Sequence, residues 1–272
     1  MCWRRIPLVA AGGASLVLAL GYFLQQAWAK ALWPLPEGRL SYAFMAAILA
    51  GKAVPLIWIG LSAEWGALVG YAFGFGCMYG LMAIYTFLLY AEQRRQPLLL
   101  YGGVTLALSV LCLLLLGVTS RVPIADARHV PRVMRLAFFV EVGVLALVGA
   151  LLVVQVAILP WPLQPESSVL YGFVFFGMAL YFGYALFKPE WSHSRGQLLG
   201  FLAYDLVLIG PLLGLFAPPG PVSWLGLIAA TAIVVGSGLL AVYYLFVQKT
   251  TRVWVVTKPP ETTGAPASGR RQ

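Results

Sequence analysis

Charge is scarce in this chain. Charged residues make up 10% of 272, against 61% hydrophobic ones, where a soluble domain carries about 25% and about 45–50%. That excludes a water-soluble globule, because too little polar surface is present to cover it. A bilayer, which solvates apolar side chains, fits the composition. Histidine is rarer still. His129 and His193 are the only two, both between apolar runs, so no helix offers a pair for haem ligation. The three cysteines form no CxxC or Cys/His ligand pattern. Cys77 and Cys112 lie inside apolar runs as small fillers, and Cys2 lacks the preceding apolar run of a lipoprotein signal. No acidic metal cluster, Walker loop, dinucleotide fingerprint or nucleophile elbow occurs. The expectation is therefore no metal, no cofactor and no assignable catalytic residue. The net charge of +9 does not indicate nucleic acid, because the charges lie between apolar runs or in the tail and form no aromatic-basic surface.

Long apolar runs dominate what remains. A spanning helix needs about 20 apolar residues, and eight such runs can be drawn, at 6–28, 40–61, 67–90, 97–118, 134–159, 168–187, 197–216 and 222–247. The fold expected is an all-α integral membrane protein of eight transmembrane helices. The first run competes with a signal-peptide reading, since "MCWRR" precedes it and "AWA" follows. It is longer than the usual signal core of about 7–15 residues, which favours a retained helix. The tail from Lys258 has almost no large apolar residue and reads as disordered. Thirteen basic residues fall on the side of the N-terminus, the even-numbered loops and the tail. Only Lys30, Arg39, Arg94 and Arg95 fall on the other. This asymmetry predicts a multi-pass protein of the cell membrane with both termini cytoplasmic.

Two loops nearly repeat: "WPLPEG" at Trp33–Gly38 and "WPLQPES" at Trp161–Ser167, with the tryptophans 128 positions apart (161 − 33). Further landmarks follow in order. Glu64–Trp65 pairs with Glu190–Trp191, Leu68–Tyr71 with Leu198–Phe201, and Pro97 and Gly102 with Pro221 and Gly226. The pattern predicts two tandem four-helix units in parallel orientation: residues 1–120 and 133–250, joined by a linker at 121–132 and followed by a tail at 251–272. Trp33 and Trp161 would anchor at the headgroup level. Glu37 and Glu166 would sit at helix starts, where the dipole favours an anion; with Glu64 and Glu190 they are secondary site candidates. Gly70/Gly74 and Gly76/Gly80 have the GxxxG spacing of close helix contacts.

Three ionisable residues stand inside the runs: Lys52, Glu141 and Asp205. Charge at mid-bilayer is costly, so it faces protein or water and finds a partner. By helical rise their depths agree within about one turn, and one shared layer, with Lys52 neutralised by either acid, is the expectation. A held proton would balance the remaining charge. Pro55 and Pro211 would free the carbonyls of Gly51 and Val207 beside this layer. Their counterparts in the other unit are uncharged, so the polar site is asymmetric.

Three functions fit. The first is a small secondary transporter or permease with Lys52, Glu141 and Asp205 in a cavity between the units, handling a small solute or proton. The second is a non-catalytic subunit whose charges bind other membrane subunits. The third is an intramembrane enzyme acting on a lipid. Membrane lipids are partners in all three, and nucleic acid in none.

Overall fold

Out of water a backbone must satisfy its own N–H and C=O groups, and the apolar runs do so as helices. The computed structural model describes residues 5–124, 126–217 and 223–253. The tail expected to be disordered, Cys2 and Pro221 lie outside these described residues. The helices are α1 (Ile6–Phe23), α2 (Ala27–Lys30), α3 (Arg39–Ser62), α4 (Leu68–Gln93), α5 (Gln96–Thr119), α6 (Arg132–Val153), α7 (Pro165–Phe187), α8 (Trp191–Gly214) and α9 (Trp224–Val242). Among the described residues, eight helical segments are long and apolar enough to cross a membrane; only the one-turn α2 is not. Proline opens α1, α5 and α7, positions where its missing N–H has no intrahelical partner to lose. Left-handed residues close others: Ala63 (φ 59°) ends α3 and Arg94 (φ 54°) ends α4, so the chain reverses within a few residues.

Helices α3, α4, α7 and α8 form the centre. Each outer helix rests mainly on one of them: α1 on α3, α5 on α4, α6 on α7 and α9 on α8. The centre is joined where α3 crosses α8 and α4 crosses α7. Both crossings are made by glycine. A Cβ on Gly200 would stand 2.7 Å from the Gly51 carbonyl, and one on Gly74 would stand 2.6 Å from that of Gly177. The carbonyl that Pro55 frees, that of Gly51, is thus turned onto the neighbouring backbone. Both GxxxG pairs are contact sites: Gly70 and Gly74 meet α7, and Gly76 and Gly80 meet α5. Aromatic rings fill the rest, with Phe44 against Trp161, Tyr171, Phe175 and Tyr204, and Phe182 stacked on Phe201 at 4.3 Å.

Three expectations need correction. Trp33 and Trp161 are buried, 8% and 5% exposed. Trp33 stacks on Tyr171 and Trp161 packs on Phe44, so they cap the bundle from inside and do not present to headgroups. Next, α8 begins at Trp191, not near 197. His193 and Arg195 are therefore buried helical residues and not loop residues. In the stretch "WSHSRGQ", Ser192 and Arg195 reach buried carboxylates and Gln197 Nε2 donates to the Tyr181 carbonyl at 2.6 Å, while Trp191 Nε1, both His193 ring nitrogens, Ser194 Oγ and Gln197 Oε1 are buried without a hydrogen-bond partner. Finally, α6 stops at Val153, and left-handed Gln155 (φ 61°) turns the chain out well before 159.

Candidate functional site

The connections fall on two faces. One carries Trp33 and Trp161. The other carries the start of α1, the α3–α4 connection, the linker, the start of α8 and the residues after α9. Between them the structure separates the three expected partners.

Lys52 lies in a 420 Å³ cavity bounded by α1, α3, α4, α5 and α7, with Trp33 in its wall. Its Nζ donates to Tyr79 Oη at 2.6 Å and sits 5.2 Å from the centre of that ring. Tyr22, Tyr101 and Tyr171 share the lining with methionine and aliphatic side chains. Glu141 lines a second cavity of 430 Å³, between α6, α8 and α9, with Ser237. Ser237 Oγ lies 3.1 and 3.0 Å from the two carboxylate oxygens of Asp205. Asp205 reaches this wall from α8, and its side chain would touch a Cβ added at Gly238. Among the described residues, ion pairs join Arg128 to Asp126 and Arg195 to both Glu64 and Asp126. None includes Lys52, Glu141 or Asp205. The shared layer is therefore corrected: Glu141 shares a cavity wall with Ser237, the residue bonded to Asp205, while Lys52 turns to the Tyr79 phenol. Equal depth fixes height along a helix but leaves azimuth open, and here azimuth separates them.

Of the secondary candidates, Glu64 is the most engaged. It accepts from Arg195 Nη1 at 3.1 Å and from Ser192 Oγ at 2.5 Å. Arg195 Nη2 reaches on to Asp126 at 2.5 Å. Asp126 also takes a two-point contact from Arg128, at 2.8 and 2.6 Å, and Arg128 donates to the Thr250 carbonyl. One charged network thus ties the α3–α4 connection, the linker, α8 and the segment after α9. Burial pushes the Asp126 carboxyl up, but hydrogen bonds and charge from Arg128, with the charge of Arg195, hold it below the usual carboxylate range. Glu190 lies 3.4 Å from His193 Nε2, and Glu166 occupies the first turn of α7.

Glu37 sits half-buried two residues before α3, with Ser167, Ser41 and Trp33 aiming donors at it. Burial raises its pKa above the usual glutamate value, and those donors only partly offset the rise. None closes an ordinary hydrogen bond: Glu37 Oε1, Ser41 Oγ, Ser167 Oγ and Trp33 Nε1 are all buried without a partner. The neighbours act on the carboxyl at slightly longer range.

Sequence reading missed Tyr79, Ser237, Asp126 and the buried role of Arg195. Asp126 did carry a signal, as the single acid among the arginines of the linker. Tyr79 and Ser237 carried none, since either is ordinary in an apolar helix. Among the described residues no three His, Cys, Asp or Glu side chains are grouped to hold a metal. No protein-family model, curated protein or solved structure matches this chain.

Proposed function

We propose that the protein is a small membrane permease whose ligand site is the cavity beneath Trp33, with Lys52 and Tyr79 as its polar end. The observation that carries this reading is the cavity itself. Its 420 Å³ falls within the small-molecule range of about 300–1,000 Å³, and apolar walls with a few placed polar groups are the usual design of such sites. The site is built mainly from the first unit, with Tyr171 and Val174 of α7 completing its wall; the crossing between the units is occupied by glycine backbone and aromatic rings.

The permease reading includes a tandem repeat on a two-fold axis along the membrane normal. Its support is positional. The partners at the two glycine crossings correspond at one offset, since Gly177 follows Gly51 by 126 positions (177 − 51) and Gly200 follows Gly74 by 126 (200 − 74). Buried Ser41 and Ser167 keep the same offset (167 − 41). Left-handed Gln25 and Gln155 follow α1 and α6. Tyr79 and Asp205 correspond as well (205 − 79), so each unit has one polar anchor at the same place, a phenol in the first and a carboxylate in the second. Paired lateral cavities in two related units suit a carrier that rocks one unit against the other.

Thiol accessibility tests this. With Cys2, Cys77 and Cys112 replaced by alanine and Leu108→Cys placed in the cavity wall, a permease in proteoliposomes is labelled by impermeant reagents from either side. Labelling confined to the Trp33 side overturns transport and leaves a one-sided binding protein. A second reading, a subunit of a larger complex, is favoured at Glu141 alone, whose cavity is rimmed by exposed Val133, Leu136 and Val140.

A further inference from the structure

We infer that the cavity beneath Trp33 takes a single-chain amphiphilic anion, its head on Lys52 and Tyr79 and its tail leading out between α1 and α5. That such an anion is carried across rests on the permease reading; its chemistry rests on the geometry alone.

Among the described residues Lys52 has no carboxylate partner, and its one hydrogen bond goes to a neutral phenol. An ammonium has three donors, so two remain, and the Tyr79 hydroxyl proton is also free to donate. A half-buried cation in apolar surroundings is stabilised by an anion that accepts those bonds. The second cavity, lined by Glu141 and Ser237 among apolar side chains, offers no cation to the same head group.

Shape gives the rest. The cavity is not sealed toward the bundle's outer surface. Leu32, Leu100 and Val104 on its rim are 56%, 69% and 59% exposed. Helices α1 and α5 border it without packing extensively on each other. An alkyl chain can therefore lie in the gap with its end in lipid. Depth argues against an ordinary bilayer lipid. Lys52 is thirteen residues along α3 from Arg39, about 20 Å at about 1.5 Å per residue, far below the level at which a phospholipid head rests. A single-chain carboxylate, sulfate or phosphate monoester meets all three conditions.

The test uses the full chain in phosphatidylcholine nanodiscs with radiolabelled palmitate as probe. Saturable binding is expected, displaced by cetyl sulfate and not by palmityl alcohol or cetyltrimethylammonium. Lys52→Met should weaken binding by about tenfold or more, Lys52→Arg should largely keep it, and Lys188→Met, at an exposed lysine outside the cavity, should leave it unchanged. Leu108→Trp, which fills the cavity and leaves Lys52 intact, should abolish it, so the result does not hang on one variant folding. Displacement by the alcohol as readily as by the acid overturns the inference, as does wild-type binding by both Lys52→Met and Leu108→Trp. Displacement by phosphatidylglycerol doped into the nanodisc overturns the single-chain assignment. Selective binding in a protein labelled from one side only supports this inference and removes the permease reading.

Discussion

Gly51 and Gly200 meet back to back. A Cβ on Gly51 would lie 3.2 Å from the Gly200 carbonyl, and one on Gly200 would lie 2.7 Å from that of Gly51. Backbone cannot yield as a flexible side chain can, so the smallest substitution separates two central helices. Gly200→Ala should destabilise by about 1–3 kcal/mol, the usual overpacking cost. Gly210→Ala, in the same helix with nothing within 4 Å of its added Cβ, should be neutral or stabilising by up to about 1 kcal/mol from helix propensity. Thermal unfolding of both variants in one detergent decides it, and equal midpoints would show that the crossing is looser than its geometry.

Arg195 holds two carboxylates at once, those of Glu64 and Asp126, with all three side chains about nine-tenths buried. Arg195→Met leaves both acids without it and should cost about 3–5 kcal/mol. The triple change Arg195→Met, Glu64→Gln and Asp126→Asn removes the charges together and should recover part of that loss. A triple variant less stable than Arg195→Met, measured by denaturation, argues against a charge network.

Two acids outside the helices should oppose each other in pH dependence. Asp126 has a depressed pKa in the folded chain. Its contribution is present above the unfolded value of about 3.9 and is lost as pH falls through the folded one. Glu37 has a raised pKa. Its contribution is complete below about 4.3 and is lost as pH rises through the folded value. Asp126→Asn should flatten the acid side of the stability profile, and Glu37→Gln should flatten the rise-side loss and stabilise the protein near neutrality. Unchanged profiles in both variants would remove these two carboxyls as the titrating groups.

Topology can be read independently. With the native cysteines replaced, Glu37→Cys should be labelled by an impermeant thiol reagent from outside the cell. Labelling from the cytoplasmic side reverses the orientation drawn from the basic residues.

Much of the fold is legible in composition, because run length and hydropathy are properties of single segments. All eight long helices fall where the apolar runs lie. The places that escape reading depend on what a helix faces. "WSHSRGQ" reads as loop until Ser192, Arg195 and Gln197 are seen to be met by Glu64, Asp126 and the Tyr181 carbonyl. Trp33 reads as an interface anchor until Tyr171 of a distant helix is found stacked on it. The candidate site divides in the same way. Lys52, Glu141 and Asp205 stand out because ionisable residues are rare in apolar runs, and Ser237 lies beside both acids' positions. That Lys52 answers to Tyr79 depends on rotation about the helix axis, which neither hydropathy nor spacing encodes.

The outer helices α1, α5, α6 and α9 each lean mainly on a single neighbour, and this makes bilayer thickness a mechanical input. With 18 residues α1 is about 27 Å long, while the 24 residues of α3 reach about 36 Å. A hydrocarbon layer of about 30 Å already exceeds the first and not the second. In a bilayer, thickening the membrane would strain α1 while sparing the centre, and tilt or local thinning is how such a mismatch is relieved. The gap beside Trp33 is bordered by that same short helix, so lipid chain length should alter its width before it disturbs the bundle.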